Sequence, residues 1–287
     1  MPLLPKSQYD TVRLEAASKS LAACRFAGGG QTSLTQQGRC PDQYGDCKMD
    51  THKIVSQKEW LAARSALLIK EKEATRRSDA LARERRSMPM VRLTKPYSFD
   101  GPSGKQTLAD LFDSMPQLIV YHFMFEPHWL EGCKSCSHFM DNIAGAVVHL
   151  RARDTAFAVV SLAPFEKIDA FRRRMGWSFP WVSSYGSDFN KDFEVSIDTG
   201  DPNSNYNYAR AKDLLDAGKI WFPKGELPGL SVFLRDDPDI YHTYSVYQRG
   251  LDALLNTYTL LDLSPLGRHE GDAPGQSWIR HHDRYQL

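Results

Sequence analysis

At 287 residues the chain is long enough to bury a substantial core, in one large domain or two small ones. Its 36 basic and 35 acidic residues leave a formal net charge of +1, which favours neither nucleic acid nor an anionic membrane as a partner. Five cysteines are few and odd in number, which argues against a disulfide-stapled secreted scaffold, and the longest apolar run, Leu118 to Phe125, is too short to cross a bilayer.

Residues 1–52 are rich in Gly, Gln, Ser and Thr and offer little to bury, so a disordered extension is predicted there. Met1-Pro2-Leu3-Leu4-Pro5-Lys6 has no continuous apolar core of the secretory kind, and a cytoplasmic location is the expectation. Arg13, Lys19 and Arg25 among Ser and Ala hint at a mitochondrial presequence, but Asp10 and Glu15 oppose that reading. Cys24, Cys40 and Cys47 read as unpaired surface thiols, with a Cys40–Cys47 pair or a metal contact as the alternative.

Order is predicted from residue 53. Ser56 and Glu59 form a capping box ahead of Trp60 and Leu61. Trp60, Leu67, Ala74 and Leu81 recur every seven residues between many Arg and Lys, which predicts an amphipathic helix over 53–88. A helix packed on its own domain is the expectation, ahead of a dimer coiled coil, because the stripe lacks a consistent second apolar position.

A single domain is then expected over 89–263. Val91–Leu93 and Tyr97–Phe99 read as strands, Asp100–Gly104 as a turn and Thr107–Phe112 as a short helix. Leu118–Phe125 is apolar on both faces, as in a central strand covered by helices on each side. A helix with Phe139, Met140, Ile143, Val147 and Leu150 on one face follows, then a buried strand over Thr155–Val160 and a helix over Pro164–Met175. Strand, helix, strand, helix in that order implies parallel strands and right-handed crossovers. Trp181–Ser184 reads as a further short strand. Residues 198–226, rich in Asn, Asp, Gly and Tyr, read as an insertion with one helix near Arg210–Ala217. Leu230–Leu234 and Ile240–Ser245 form a predicted hairpin, Leu251–Leu261 a closing helix and 264–287 a polar tail.

Between the central strand and its helix lies Cys133-Lys134-Ser135-Cys136. Two cysteines at this spacing close a disulfide with little backbone movement, and a helix N-terminus favours the thiolate of the first. Thioredoxin-like proteins keep their chemistry at such a junction. The expected fold is therefore α/β and thioredoxin-like: a central mixed sheet flanked by helices, with an N-terminal helical arm. Cys133 is the expected nucleophile and Cys136 the resolving thiol in exchange with a protein or small-molecule thiol or disulfide, without a cofactor. A non-catalytic adaptor on the same scaffold is the alternative. So is a zinc site completed by two of His122, His128 and His138, although these show no repeated ligand spacing. A peroxidase cysteine of the Pro-x-x-x-Thr/Ser-x-x-Cys type is disfavoured, because Pro127 lies one residue too close and Leu130 takes the hydroxyl position.

Several stretches together resemble domain of unknown function family 899, thioredoxin-like proteins described as predicted dithiol-disulfide oxidoreductases. They are Phe123-Met124-Phe125 with Trp129, Glu131-Gly132-Cys133 through Cys136-Ser137, Arg151-Ala152-Arg153-Asp154, the block from Arg174 to Ser184, Ser187-Asp188-Phe189-Asn190 and Pro265-Leu266-Gly267-Arg268. The resemblance runs from about residue 53 to the C-terminus. It implies the thioredoxin-like fold and, with it, two further expectations. His122 stands in the central strand where thioredoxin carries a buried acid, and is a candidate to move the Cys136 proton, a hydrogen-bonded core histidine being the plainer reading. Leu227-Pro228-Gly229 stands where such folds place a cis-proline beside the cysteines, which makes Pro228 a candidate cis residue. Trp129, Trp177 and Trp181, with Tyr185 and Phe189, are candidates to line a substrate groove, against core packing for at least two of them. No metal ligand is assigned. Trp278-Ile279-Arg280-His281-His282-Asp283 is placed as a tail folding back over the domain.

Overall fold

The structure, a computed structural model, describes residues 52–270 and 275–286. The extension expected to be disordered, with Cys24, Cys40 and Cys47, falls outside the described residues apart from His52. The chain divides into two compact units, one ending at Leu67 and the other beginning at Leu68.

In the first unit the capping box forms as the sequence suggests. The Ser56 backbone N–H donates to Glu59 Oε2 at 2.9 Å, and the Glu59 N–H to Ser56 Oγ at 3.3 Å. It opens helix α1, Gln57–Arg86, which buries none of its residues. Trp60, Leu67 and Leu81 are each about half exposed.

The second unit holds an eight-stranded sheet. Its strands are β1 (Val91–Arg92), β2 (Ser98–Gly101), β3 (Gly104–Thr107), β4 (Gln117–His122), β5 (Thr155–Ser161), β6 (Trp181–Ser183), β11 (Gly229–Asp236) and β12 (Asp239–Tyr247), in the order β1-β12-β11-β4-β5-β6-β2-β3. β4, β5 and β6 run parallel, and β11 lies antiparallel to both β4 and β12. Helix α2 (Lys134–Ile143) and the short α3 (Val147–Arg151) connect β4 to β5, and α4 (Phe165–Arg174) connects β5 to β6. The four strands β12-β11-β4-β5 with their helices are the thioredoxin-like core. The remaining strands extend the sheet beyond it at both edges.

Side chains along β4 and β5 alternate between two apolar layers, as pleating requires. Leu118, Val120, Ala156, Ala158 and Val160 join Phe99, Phe112, Phe189, Phe193 and Phe233 on one face. Tyr121, Phe123, Phe157 and Val159 join Cys136, Phe139, Met140, Phe171, Trp177, Trp181 and Tyr258 on the other. After α5 (Phe189–Asp192), the inserted segment makes a small core from Val195, Ile197, Tyr206, Ala211, Leu214, Ile220 and Leu227, packed with Tyr247 of β12. It contains the ribbon β7 (Ser196–Asp198) with β10 (Lys224–Glu226), the ribbon β8 (Asn205–Tyr206) with β9 (Ala209–Arg210), and α6 (Ala211–Asp216). The helix expected to close the domain is a 3-10 turn, Gln248–Leu254, followed by α7 (Asn256–Leu261). The tail does fold back, with Ile279 fully buried in the α2 layer.

Candidate functional site

β4 ends at His122, and residues 123–133 lead from it to α2. This loop is pinned to its surroundings. The Phe123 N–H donates to Val160 O at 2.9 Å, Phe125 O accepts from the Ala163 N–H at 2.8 Å, and the Cys133 N–H donates to Met124 O at 3.1 Å. Lys167 Nζ donates to Pro127 O at 2.6 Å and to Trp129 O at 2.8 Å. Gly132 has no room for a side chain: a Cβ there would lie 2.7 Å from Phe123 and 2.9 Å from Phe171.

Cys133 is the N-cap of α2, with φ −56° and ψ 129°, and its carbonyl accepts from the Ser137 N–H and hydroxyl, both at 2.9 Å. Both cysteines are free thiols; Cys133 is partly exposed and Cys136 is 1% exposed. Their environments push them apart. A hydrogen bond from the Cys136 thiol lowers the pKa of Cys133 to about 7, assisted by the N–H groups of Cys136 and Ser135 and the charge of Lys134, against the opposing effect of burial. Burial first, and then the neighbouring Cys133 sulfur, hold Cys136 well above its ordinary range. That asymmetry makes the outer thiol the easier of the two to ionise and keeps the inner one protonated.

The group beside Cys136 is Tyr121. Its hydroxyl hydrogen-bonds the Cys136 sulfur, and its buried ring stacks on Phe139 at 4.4 Å and 8°. His122 does not reach the thiols, and the proposed proton role is corrected. It is the next residue along the strand and therefore faces the opposite layer, against Phe189 and Phe193 at 5.5 and 6.0 Å. There its Nε2 meets Ser231 Oγ at 2.8 Å, Ser231 meets Ser245 at 2.8 Å, and His242 Nε2 meets Ser245 at 2.7 Å. Burial, with the charge of His242 behind it, lowers the His122 pKa to about 3 and keeps the ring neutral.

Gly229 lies opposite His122 in the β4–β11 pair, so Pro228 sits at the strand end from which the cysteine loop departs. The Leu227–Pro228 bond is trans, contrary to expectation; the cis bond among the described residues is Asp237–Pro238. Leu227 is tied by its N–H to Val195 O at 2.7 Å, and Pro228 O accepts from the Tyr206 hydroxyl at 2.7 Å. The chain thus leaves β10 for β11 with both flanking residues held by the insertion, and the default trans bond is accommodated. Tyr206 is fully buried and close enough to Cys136 for the two groups to repel when ionised.

As groove walls, Trp177 and Trp181 are corrected to core residues. Trp177 Nε1 donates to Asp141 Oδ1 at 2.9 Å and Trp181 Nε1 to Ser161 Oγ at 3.0 Å, which satisfies both indoles away from solvent. Phe189 is equally buried. Trp129 remains half-buried beside the pair's loop, and Tyr185 is exposed. His128 is exposed and faces Glu126 at 3.5 Å. Among the described residues no group of three or more His, Cys, Asp or Glu is placed to hold a metal ion, so the zinc alternative has no ligand set there.

Two further groups escaped the sequence reading. Glu226, 3% exposed, accepts from Asn190 Nδ2 and from the Ser196 hydroxyl, while its N–H donates to Glu126 Oε1 in the cysteine loop at 3.2 Å. Burial raises its pKa to about 7, against those two side-chain hydrogen bonds and with the Glu126 carboxylate adding to the rise. His281 reaches the loop from the other side, with Nε2 at 2.8 Å from Gly132 O. Neither pairing spans fewer than 100 residues of sequence, and no local spacing signals it.

The model of a family described as bacterial protein of unknown function (DUF899) matches residues 49–285. No curated protein matches the chain. Solved structures similar to it include PrxQ of Xylella fastidiosa, with 15% identity over 58% of this chain and 89% of that one, at a TM-score of 0.37. Peroxidoxin BcpB of Mycobacterium tuberculosis has 12% identity over 59% and 94%, at 0.36. Peroxiredoxin Q of Xanthomonas campestris has 17% identity over 58% and 90%, at 0.35. Likenesses this distant say nothing about activity. No helix among the described residues is long and apolar enough to cross a membrane.

Proposed function

The chain belongs to the DUF899 family of bacterial proteins, and from the geometry of its cysteine pair we propose that it is a thiol-disulfide oxidoreductase. The supporting observation is the asymmetry of the pair: a partly exposed Cys133 with its pKa lowered to about 7, backed by a buried and protonated Cys136. In the reductive direction the Cys133 thiolate attacks one sulfur of a substrate disulfide. The Cys133–substrate disulfide forms, and the other substrate sulfur leaves as a thiolate that takes a proton from solvent. Cys136 then loses its proton, attacks the Cys133 sulfur and releases the second substrate thiolate. The substrate gains two electrons and the pair becomes a disulfide, which a dithiol reductant returns to its starting state. Run backwards, the same steps oxidise a substrate dithiol. The Tyr121 hydroxyl supports Cys136 as its charge develops, because a hydrogen bond to the thiolate offsets part of the desolvation. The partner is a protein or small molecule bearing a disulfide or a thiol pair.

The test is a redox titration of wild type beside Cys133→Ser and Cys136→Ser, with insulin reduction by dithiothreitol as readout. A reversible two-electron couple is expected in wild type. Cys133→Ser should be inactive, and Cys136→Ser should accumulate a mixed disulfide at Cys133. Full activity in Cys133→Ser, or no reversible couple in wild type, rejects the enzymatic reading and leaves a non-catalytic binding module on the same scaffold.

A further inference from the structure

The peptide unit that carries Cys133 into α2 is held at both ends. Its N–H donates to Met124 O at 3.1 Å, a contact within the same loop. Its carbonyl, that of Gly132, meets His281 Nε2 at 2.8 Å across 149 residues of sequence. Gly132 O has no hydrogen on it, so the imidazole is the donor and the proton sits on Nε2. The His281 ring is buried and lies edge-on to Phe171, 5.3 Å away. Its other nitrogen faces Arg174 Nη2 at 3.4 Å and Glu131 Oε2 at 3.6 Å.

The segment bearing His281 is itself fastened. Ile279 is fully buried in the α2 layer. Arg174, in the last turn of α4, binds Asp283 at 2.8 and 2.9 Å and also Glu131, and Arg284 Nη2 lies 3.2 Å from Glu131. These ion pairs join three parts of the chain: the residue before Gly132, the end of α4 and the C-terminal segment. No partner at this carbonyl comes from the thioredoxin-like core itself.

We propose that His281 is a positioning residue for Cys133: by donating to the Gly132 carbonyl it fixes the peptide plane that aims the Cys133 sulfur at the first-turn N–H groups of α2. The carbonyl's negative end is neutralised by a donor. The Cys133 φ and ψ are held at values that bring Sγ over the amides of Ser135 and Cys136. With that bond removed, the peptide plane is free to rotate about its remaining hydrogen bond. The carbonyl dipole then competes with the amides for the space around the thiolate, and the thiol becomes harder to ionise. The inference rests on Cys133 being the working thiol of the proposed oxidoreductase, but its test does not require turnover.

The experiment measures the rate of Cys133 alkylation by iodoacetamide between pH 5 and 10, resolved by peptide mass spectrometry on the full reduced chain. His281→Phe keeps a ring against Phe171 and removes the donor. Its profile should move to higher pH by about one unit, making alkylation at pH 7 about fivefold slower and leaving the high-pH plateau unchanged. His281→Gln, which restores an N–H donor, should return the profile most of the way to wild type. A His281→Phe protein that is less heat-stable but keeps the wild-type profile assigns His281 to packing alone and overturns the proposal. So does a His281→Gln profile as displaced as that of His281→Phe. If His281→Phe does not fold, Asp283→Asn decides the matter by loosening the same segment at Arg174: a smaller shift of the same sign supports positioning, and an unmoved profile overturns it. Wild-type insulin reduction is read in parallel. An inactive wild type with a displaced His281→Phe profile would reject the oxidoreductase and keep the positioning role.

Discussion

The two faces of β4 carry different chemistry from neighbouring residues. Tyr121 belongs to the layer that holds α2 and reaches Cys136, whereas His122 belongs to the opposite layer and reaches Ser231. One position along a strand reverses the direction of the side chain, so two adjacent polar residues cannot serve the same thiol. The comparison teaches that proximity in sequence to the cysteine loop is no measure of participation. What matters is the layer in which a side chain ends.

The largest effect that separates the faces is on stability against pH. His122 titrates near 6.5 when unfolded and near 3 when folded, so the unfolded state binds the extra proton between those values. Its contribution is full above pH 6.5 and is lost as pH falls, by at most about 1.4 kcal/mol per pH unit. Glu226 has the opposite sign. Its folded pKa of about 7 exceeds the unfolded value of 4.5, so its contribution is full below pH 4.5 and is lost as pH rises through 7. The two slopes oppose each other between pH 4.5 and 6.5. Urea unfolding across that interval should show stability rising more steeply with pH than in wild type in Glu226→Gln, and less steeply in His122→Gln, the lowered His138 and His242 contributing equally to all three. Identical slopes in both variants would mean that neither group is buried as described.

Next in size is Gly132→Ala, on the thiol face. The added Cβ meets Phe123 and Phe171 below van der Waals contact, and overpacking of this kind costs about 1–3 kcal/mol. A lowered urea midpoint with an unchanged slope would show it, and an unchanged midpoint would mean that the aromatic wall gives way. Tyr121→Phe comes third. Loss of one buried hydrogen bond should cost about 1 kcal/mol of stability. It should also raise the pKa of Cys136, so that mixed-disulfide release slows while the first attack by Cys133 does not. Stopped-flow kinetics of the two steps distinguish this from a general loss of activity, which would contradict the assignment. The smallest effect belongs to His122→Gln at the thiols. Its alkylation pH profile for Cys133 and Cys136 should coincide with that of wild type, although its stability profile does not. A displaced thiol profile would restore His122 as a proton carrier.

Much of the site was legible because its signals are local. The Cys-x-x-Cys spacing, the strand before it and the helical period after it lie within about thirty residues, and the capping box at Ser56 and Glu59 spans four. The choice between Tyr121 and His122 was not legible in the same way. Leu118–Phe125 is apolar on both faces, and alternation alone says that the two residues diverge without saying which one α2 covers. Core packing was expected for at least two of the candidate groove aromatics, but which two was not legible until Asp141 and Ser161 supplied partners for Trp177 and Trp181. The α1 stripe was legible as a helix from its period alone, and the helix forms over Gln57–Arg86.

The sequence alone determined the α/β order of elements, the thioredoxin-like core, the inserted segment and the two cysteines, because hydrophobic period, turn residues and helix-start signals act over a few residues. Only the tertiary structure decided that Tyr121 is the neighbour of Cys136, that the Leu227–Pro228 bond is trans, and that Glu226 and His281 grip the cysteine loop from two sides. The Glu226 and His281 contacts join segments 100 or more residues apart, the Tyr121 contact depends on which of two sheet faces a helix covers, and the trans bond lies where the Tyr206 hydroxyl reaches Pro228 O across 22 residues. Long-range burial and hydrogen bonding, not local propensity, set the pKa values on which the chemistry rests.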